Sequence, residues 1–143
     1  MSQQVLDDAV IAHEEGRLSD AERGYQTVLH THPRPTDAWH LLGVVAHEQG
    51  DHVVAAERIR RAMELGASGP IIWNHLGLAL AAQQRTDEAV RAYMRAIDAA
   101  PDYAHAHLNL AIALSVQGRW DEAADVYGRV MMLDDTLAAD AAR

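Results

Sequence analysis

The chain has 143 residues, 49% hydrophobic and 23% charged, enough for a folded unit with a sizeable core. Twelve arginines and no lysine stand against 21 acidic residues, a net charge of −9, which argues against a duplex nucleic-acid binder because phosphate contacts need clustered cations. No cysteine is present, which excludes thiol catalysis, thiolate metal sites and disulfides. With no long apolar run and no basic segment before Val10, the chain reads as cytoplasmic, without a membrane span or a membrane partner.

The sequence repeats with a period of 34, and the units fall at 2–35, 36–69, 70–103 and 104–137. A fixed period of this length marks a stacked-repeat protein. The first unit turns at Gly16-Arg17-Leu18-Ser19, continues with Ala21, Tyr25 and Val28, and carries Pro33 near its end. Asp8 stands where the later units have Leu42, Leu76 and Leu110. The second unit opens on Trp39, Leu42 and Gly43, turns at Gly50-Asp51-His52, and continues with Ala55, Ile59 and Ala62. Trp73, Leu76 and Gly77 open the third, which turns at Gln84-Arg85-Thr86-Asp87 before Ala89, Tyr93, Ala96 and Pro101. The fourth has His107, Leu110 and Ala111, the turn Gly118-Arg119-Trp120-Asp121, then Ala123, Tyr127 and Val130.

Each unit therefore holds two stretches of about 13 residues with apolar positions at helical spacing, separated by a turn. Glycine is expected to supply the left-handed end of the first helix, and Ser19, Asp87 and Asp121 to cap the second, with Ser19 and Glu22 forming a capping box. The recurring alanine and Gly43 and Gly77 are expected where the two helices cross closely.

These residues resemble the tetratricopeptide repeat family, whose pattern runs Trp-x2-Leu-Gly-x2-Tyr, then Ala-x3-Phe, then Pro. Ala46, Leu80 and Leu114 replace the tyrosine. The resemblance implies an all-α, right-handed superhelical solenoid of four helix-turn-helix units, one domain over 1–143, with 138–143 a partial cap or the start of a further helix. It also implies a concave groove lined by the first helix of each pair. Carried over by register, the groove residues that would bind a partner are Asp37, His40, Val44, His47, Asn74, His75, Leu78, His105, Asn109 and Ile112. Val10, Val44, Leu78 and Ile112 form an apolar stripe that either receives an apolar side chain or simply fills the inside of a tight curve.

The implied function is that of a protein-protein interaction module, a scaffold or adaptor that holds an extended or helical peptide. The alternative is the non-catalytic arm of a larger enzyme, since the repeats are similar to those preceding bacterial O-GlcNAc-transferase-like glycosyltransferases. No phosphate loop, nucleophile elbow or shielded acid pair is present, so no catalytic residue or cofactor is expected. Nine histidines occur, none at the i, i+4 spacing that suits a metal, so no metal is expected. If groove histidines touch a partner, binding should vary with pH near their ordinary pKa of about 6.5.

With no lysine and no arginine at groove positions, the expected partner is a neutral or basic protein or peptide segment with an apolar anchor, not an acidic tail. Arg58, Arg60 and Arg61, beside Glu57 and Glu64, read as a solvated face. Met131, Met132 and Leu133 lie in the last full helix, and either self-association as a homo-oligomer through that C-terminal end or poor stability is expected, because solenoids need a polar cap.

Overall fold

The computed structural model describes residues 2–31 and 35–133. Pro33, His32, Asp135, Leu137 and the segment 138–143, to which parts of the sequence reading refer, lie outside the described residues. Among the described residues there are eight α-helices and no strand, as expected for an all-α chain of helix-turn-helix pairs. They gather into two compact units. The first, Met1–Ser68, holds α1 (Ser2–Glu14), α2 (Leu18–Thr31), α3 (Pro35–Glu48) and α4 (His52–Glu64); the second, Gly69–Arg143, holds α5 (Pro70–Ala82), α6 (Thr86–Ala99), α7 (Ala104–Val116) and α8 (Trp120–Leu133). Within each unit every helix packs on the one that follows it, and α5 also meets α7.

The reversal inside each pair is built four times in the same way. Gly16, Gly50 and Gly118 sit at φ of +77°, +86° and +75°, and Gln84, at the same repeat position, is held at +62°. The amide of the next residue then reaches back to the first helix: Arg17 N–H to Ala12 O at 2.8 Å, Asp51 to Ala46 at 2.8 Å, Arg85 to Leu80 at 3.0 Å and Arg119 to Leu114 at 2.9 Å. This closes the helix end with a Schellman-type bond and consumes carbonyls that would otherwise be orphaned.

The second helices begin one residue before the cap residues named from sequence. Ser19, Asp87 and Asp121 lie inside α2, α6 and α8, not before them, so the Ser19 capping box does not form. The cap position instead holds Arg17, Asp51, Arg85 and Arg119, whose carbonyls accept from Ala21, Ala55, Ala89 and Ala123 at 2.9–3.0 Å. Asp51 accepts from Val54 N–H at 3.3 Å. The three arginines reach forward to the acid three residues on: Arg17 Nη1 to Asp20 at 3.2 Å, and two-pronged contacts of Arg85 with Glu88 and Arg119 with Glu122. A carboxylate in the first turn also complements the positive end of the helix dipole, so the arrangement needs no capping hydroxyl.

Close crossing explains the small residues. A Cβ on Gly43 would lie 2.6 Å from Ile59 Cγ1 and 3.1 Å from the Ala55 carbonyl, and one on Gly77 would lie 2.4 Å from Tyr93 Cε1. In the first pair the methyl is present, as Ala9, and the facing residue yields: a Cβ on Gly24 would sit 2.6 Å from Ala9 Cβ. Around these crossings Tyr25, Leu42 and Val45 fill the first unit's core with Leu6, Leu18 and Leu41 packed against it, and Leu76, Leu80, Tyr93, Leu110 and Leu114 are buried in the second.

Two polar groups are also structural. Arg58, read from sequence as solvated, is partly buried in the first unit, donating from Nη1 to Glu22 Oε1 at 2.7 Å and to the Leu42 carbonyl at 3.1 Å. It ties α4 to α2 and α3. His107 stands where the middle repeats carry tryptophan; it is buried and its Nε2 donates to the Pro101 carbonyl at 2.8 Å.

Candidate functional site

The second unit contains an open cleft of about 600 Å³. Its walls come from α5 (Leu78, Ala81), the turn residue Gln84, α6 (Thr86, Tyr93) and α7 (Asn109, Ile112, Ala113, Val116). No lining residue is charged. Leu78 and Ile112 are one repeat apart, and the 34-residue period sets them on equivalent faces of the two first helices. Ile112 is 48% exposed and Val116, one turn further along α7, 71% exposed. Large aliphatic side chains left in water at the mouth of a concavity are what an apolar anchor from a ligand would cover.

The polar element of this cleft is an amide pair. Asn109 Nδ2 donates to Asn74 Oδ1 at 2.9 Å. Asn74 is buried, at 4% exposure, so it is a support for Asn109 and not itself a wall, whereas Asn109 keeps one face toward the cleft. The bond fixes the Asn109 rotamer and leaves its carboxamide oxygen to accept. Gln117 Nε2, just past α7, donates to Asp87 Oδ1 at 2.6 Å and so joins the end of α7 to the start of α6. Tyr93 shows the cleft the edge of a ring that is otherwise buried, and that burial pushes its phenol up to about 12, so it stays neutral.

Of the residues named from sequence, Leu78, Asn109 and Ile112 therefore line one cleft, with Asn74 behind them. His75 is half-buried on α5 and His105 exposed in the first turn of α7, and neither lines it. The reading missed Val116, Gln84, Thr86 and Tyr93. Val116 belongs to a repeat position filled by Glu14, Glu48 and Ala82 elsewhere, so periodicity carried no signal for it.

In the first unit Asp37, His40, Val44 and His47 follow one another on α3 at spacings of three, four and three, along one helical face. Asp37 is exposed and the other three half-buried. Val10, the first member of the apolar stripe, packs against the core cluster, and there the stripe is filling. His13, on α1, bridges three helices. Its Nε2 lies 3.0 Å from Glu48 Oε1 and its Nδ1 3.1 Å from the Tyr25 hydroxyl. Because a carboxylate only accepts, the neutral ring carries its hydrogen on Nε2, and Nδ1 accepts from the tyrosine. Burial, helped by Glu48 and Glu14, raises the Tyr25 phenol to about 12.

His47 Nδ1 stands 2.9 Å from His52 Nδ1, a pair that is satisfied only while at least one ring is neutral. Burial, with His52 adding to it, lowers the His47 pKa against the opposing pull of Glu48, and burial lowers that of His40 against Asp37. Among the described residues no three His, Asp or Glu side chains are grouped as a metal would need, and no helix is long and apolar enough to cross a membrane.

Paired helices closed by left-handed turns, with an uncharged cleft on the first-helix side of one unit, define a tandem helical-repeat protein. The tetratricopeptide repeat model matches residues 7–70 and 74–130, and the chain belongs to that family. No curated protein matches the sequence significantly. Among solved structures, a MamA fragment from Desulfovibrio magneticus is similar at 18% identity with a TM-score of 0.86, over 95% of this chain and 77% of that one. YrrB, a TPR protein with an unusual peptide-binding site, is similar at 19% identity with a TM-score of 0.78, over 92% of this chain and 68% of that one. An O-GlcNAc transferase mutant from Thermobaculum terrenum is similar at 31% identity with a TM-score of 0.73, over 79% of this chain but only 22% of that one.

Proposed function

We propose that this chain is a protein-interaction module, acting as a scaffold or adaptor, that seats a peptide segment in the cleft of its second unit. The observation that carries the reading is the uncharged cleft with Leu78, Ile112 and Val116 on its walls and a fixed asparagine among them. An apolar side chain of the ligand enters between Leu78 and Ile112, and Asn109 accepts a backbone N–H beside it. Asp37, His40, Val44 and His47 on α3, and His75 and His105, offer further contacts along the first helices. The net charge of −9, with Asp37 and Glu48 exposed, favours a neutral or basic segment by steering. That YrrB has a peptide-binding site supports this reading.

The test is selection of binders from a phage-displayed peptide library, followed by titration against Leu78→Glu with Ile112→Glu. Both residues lie at the surface of the cleft, so the variant should keep its helical circular dichroism and lose the selected peptides. Undiminished binding by the folded variant would falsify the cleft as the site. The likeness to the Thermobaculum terrenum transferase supports a second reading, a non-catalytic repeat arm of a larger enzyme. A glycosyltransferase domain continuing the same reading frame would favour it; a different continuation would remove it.

A further inference from the structure

Every wall of the cleft has a counterpart two repeat steps earlier, in the first unit. Tyr93 corresponds to Tyr25, Ala81 to His13, Ala113 to Val45 and Val116 to Glu48. In the first unit the chain fills this seat from within. The His13 ring stands edge-on to Tyr25, with centroids 5.9 Å apart and planes at 74°. Its Nδ1 accepts from the Tyr25 hydroxyl at 3.1 Å and its Nε2 donates to Glu48 at 3.0 Å.

In the second unit Ala81 lacks the ring, Val116 lacks the carboxylate and Ala113 is two carbons smaller than Val45, and all three line the cleft. The tyrosine is kept. Among the described residues the Tyr93 hydroxyl has no hydrogen-bond partner, and no buried side-chain polar atom is left unsatisfied, so the hydroxyl opens on the cleft it lines. A single donor set among apolar walls is the kind of group that orients a ligand.

We propose that the cleft receives a neutral histidine ring of the ligand, seated against Tyr93 as His13 is seated against Tyr25. The inference rests on the cleft being the peptide site. Tyr93 donates to one ring nitrogen, and the rest of the ring packs on the aliphatic walls. The ring binds neutral because no lining residue is charged and Val116 stands where Glu48 could balance an imidazolium. A phenylalanine ring would match the walls but would cover the Tyr93 hydroxyl without giving it an acceptor. At about 600 Å³ the cleft is of the size that takes a whole small ligand, so the ring fits beside an aliphatic anchor between Leu78 and Ile112.

The ring is tested alone first. The full chain is titrated with 4-methylpyridine and with toluene, which share a shape and differ in one ring nitrogen, and backbone amide shifts are followed by NMR at slightly alkaline pH. Both should move the amides of Leu78, Ile112 and Val116. In Tyr93→Phe the affinity for 4-methylpyridine should fall roughly two- to tenfold, the worth of one hydrogen bond, while that for toluene holds. Since the hydroxyl has no partner among the described residues, the variant should keep its helical circular dichroism. Ala81→His is the second variant: it supplies the ring from α5, as position 13 does from α1, and should abolish the 4-methylpyridine shifts.

Equal effects of Tyr93→Phe on the two probes, or undiminished 4-methylpyridine binding by folded Ala81→His, overturn the proposal. Selected peptides separate this failure from failure of the cleft itself. They should carry a histidine and weaken when it becomes phenylalanine. Peptides that are lost by Leu78→Glu with Ile112→Glu, yet bind Tyr93→Phe and Ala81→His as they bind wild type, keep the cleft as the site and overturn the histidine seat.

Discussion

Gly77→Ala is the sharpest test of the crossing geometry. The added methyl would meet Tyr93 Cε1 at 2.4 Å and Cδ1 at 2.6 Å, about 1 Å or more inside the usual carbon contact distance of about 3.5–4.0 Å. Tyr93 is 2% exposed, so its ring cannot swing away, and α5 and α6 must part instead. Overpacking of this kind costs about 1–3 kcal/mol, while replacing a helix-interior glycine by alanine returns about 1 kcal/mol of helix propensity. The net expectation is a loss of up to about 2 kcal/mol, or up to roughly 8 °C in melting temperature for a chain of this size.

Gly128→Ala supplies the control, since a Cβ there meets nothing within 4 Å and only the propensity gain of about 0.5–1 kcal/mol should remain. Urea unfolding followed by circular dichroism should show opposite signs for the same chemical change. If Gly77→Ala is as stable as Gly128→Ala, the repeat glycines are not there for close approach.

Gln84→Gly should stabilise the chain by about 0.5–1 kcal/mol, because a left-handed conformation costs a side-chain-bearing residue about 1–2 kcal/mol and glycine's own entropic cost offsets part of the relief; an unchanged urea midpoint would show that φ of +62° carries no strain. For the histidines the sign follows from burial. His40 and His47 have pKa values lowered in the folded chain, so the unfolded chain takes up these protons more readily. Stability is complete above the unfolded value of about 6.5 and is lost as pH falls through it toward the lower folded values. Melting temperatures at about pH 7.5 and about pH 5 should differ less in His47→Gln than in wild type, and equal differences would show that the His47 and His52 pair does not contribute.

What the sequence made legible were relations between equivalent positions. A 34-residue step finds the four left-handed turns inside the pairs, the recurring alanines, and Gly43 and Gly77, because those depend on the two helices of a single pair. It also finds that Leu78 and Ile112 share a face. Where the reading failed, the deciding partner lay outside the pair. Arg58 looked solvated among Glu57 and Glu64, yet its ligands are Glu22, 36 residues earlier, and a main-chain carbonyl of α3. Asn74 looked like a groove residue by register and is buried, because Asn109 of the next pair closes over it. The cap residues failed for a local reason: a serine or aspartate preference competed with an arginine whose i+3 acid already serves the first turn, and statistics of capping hydroxyls do not register that trade.

The tyrosine position carries the same lesson further. Tyr25, Tyr93 and Tyr127 are one residue type at one place in the period, and any reading by composition or spacing must treat them alike. Their environments differ because burial belongs to the neighbouring layer, not to the residue: a following first helix with leucines in register seals Tyr25, and among the described residues nothing of the kind lies over Tyr127. The period cannot mark that difference, and only the 37% exposure of Tyr127, whose equivalents are buried, records it.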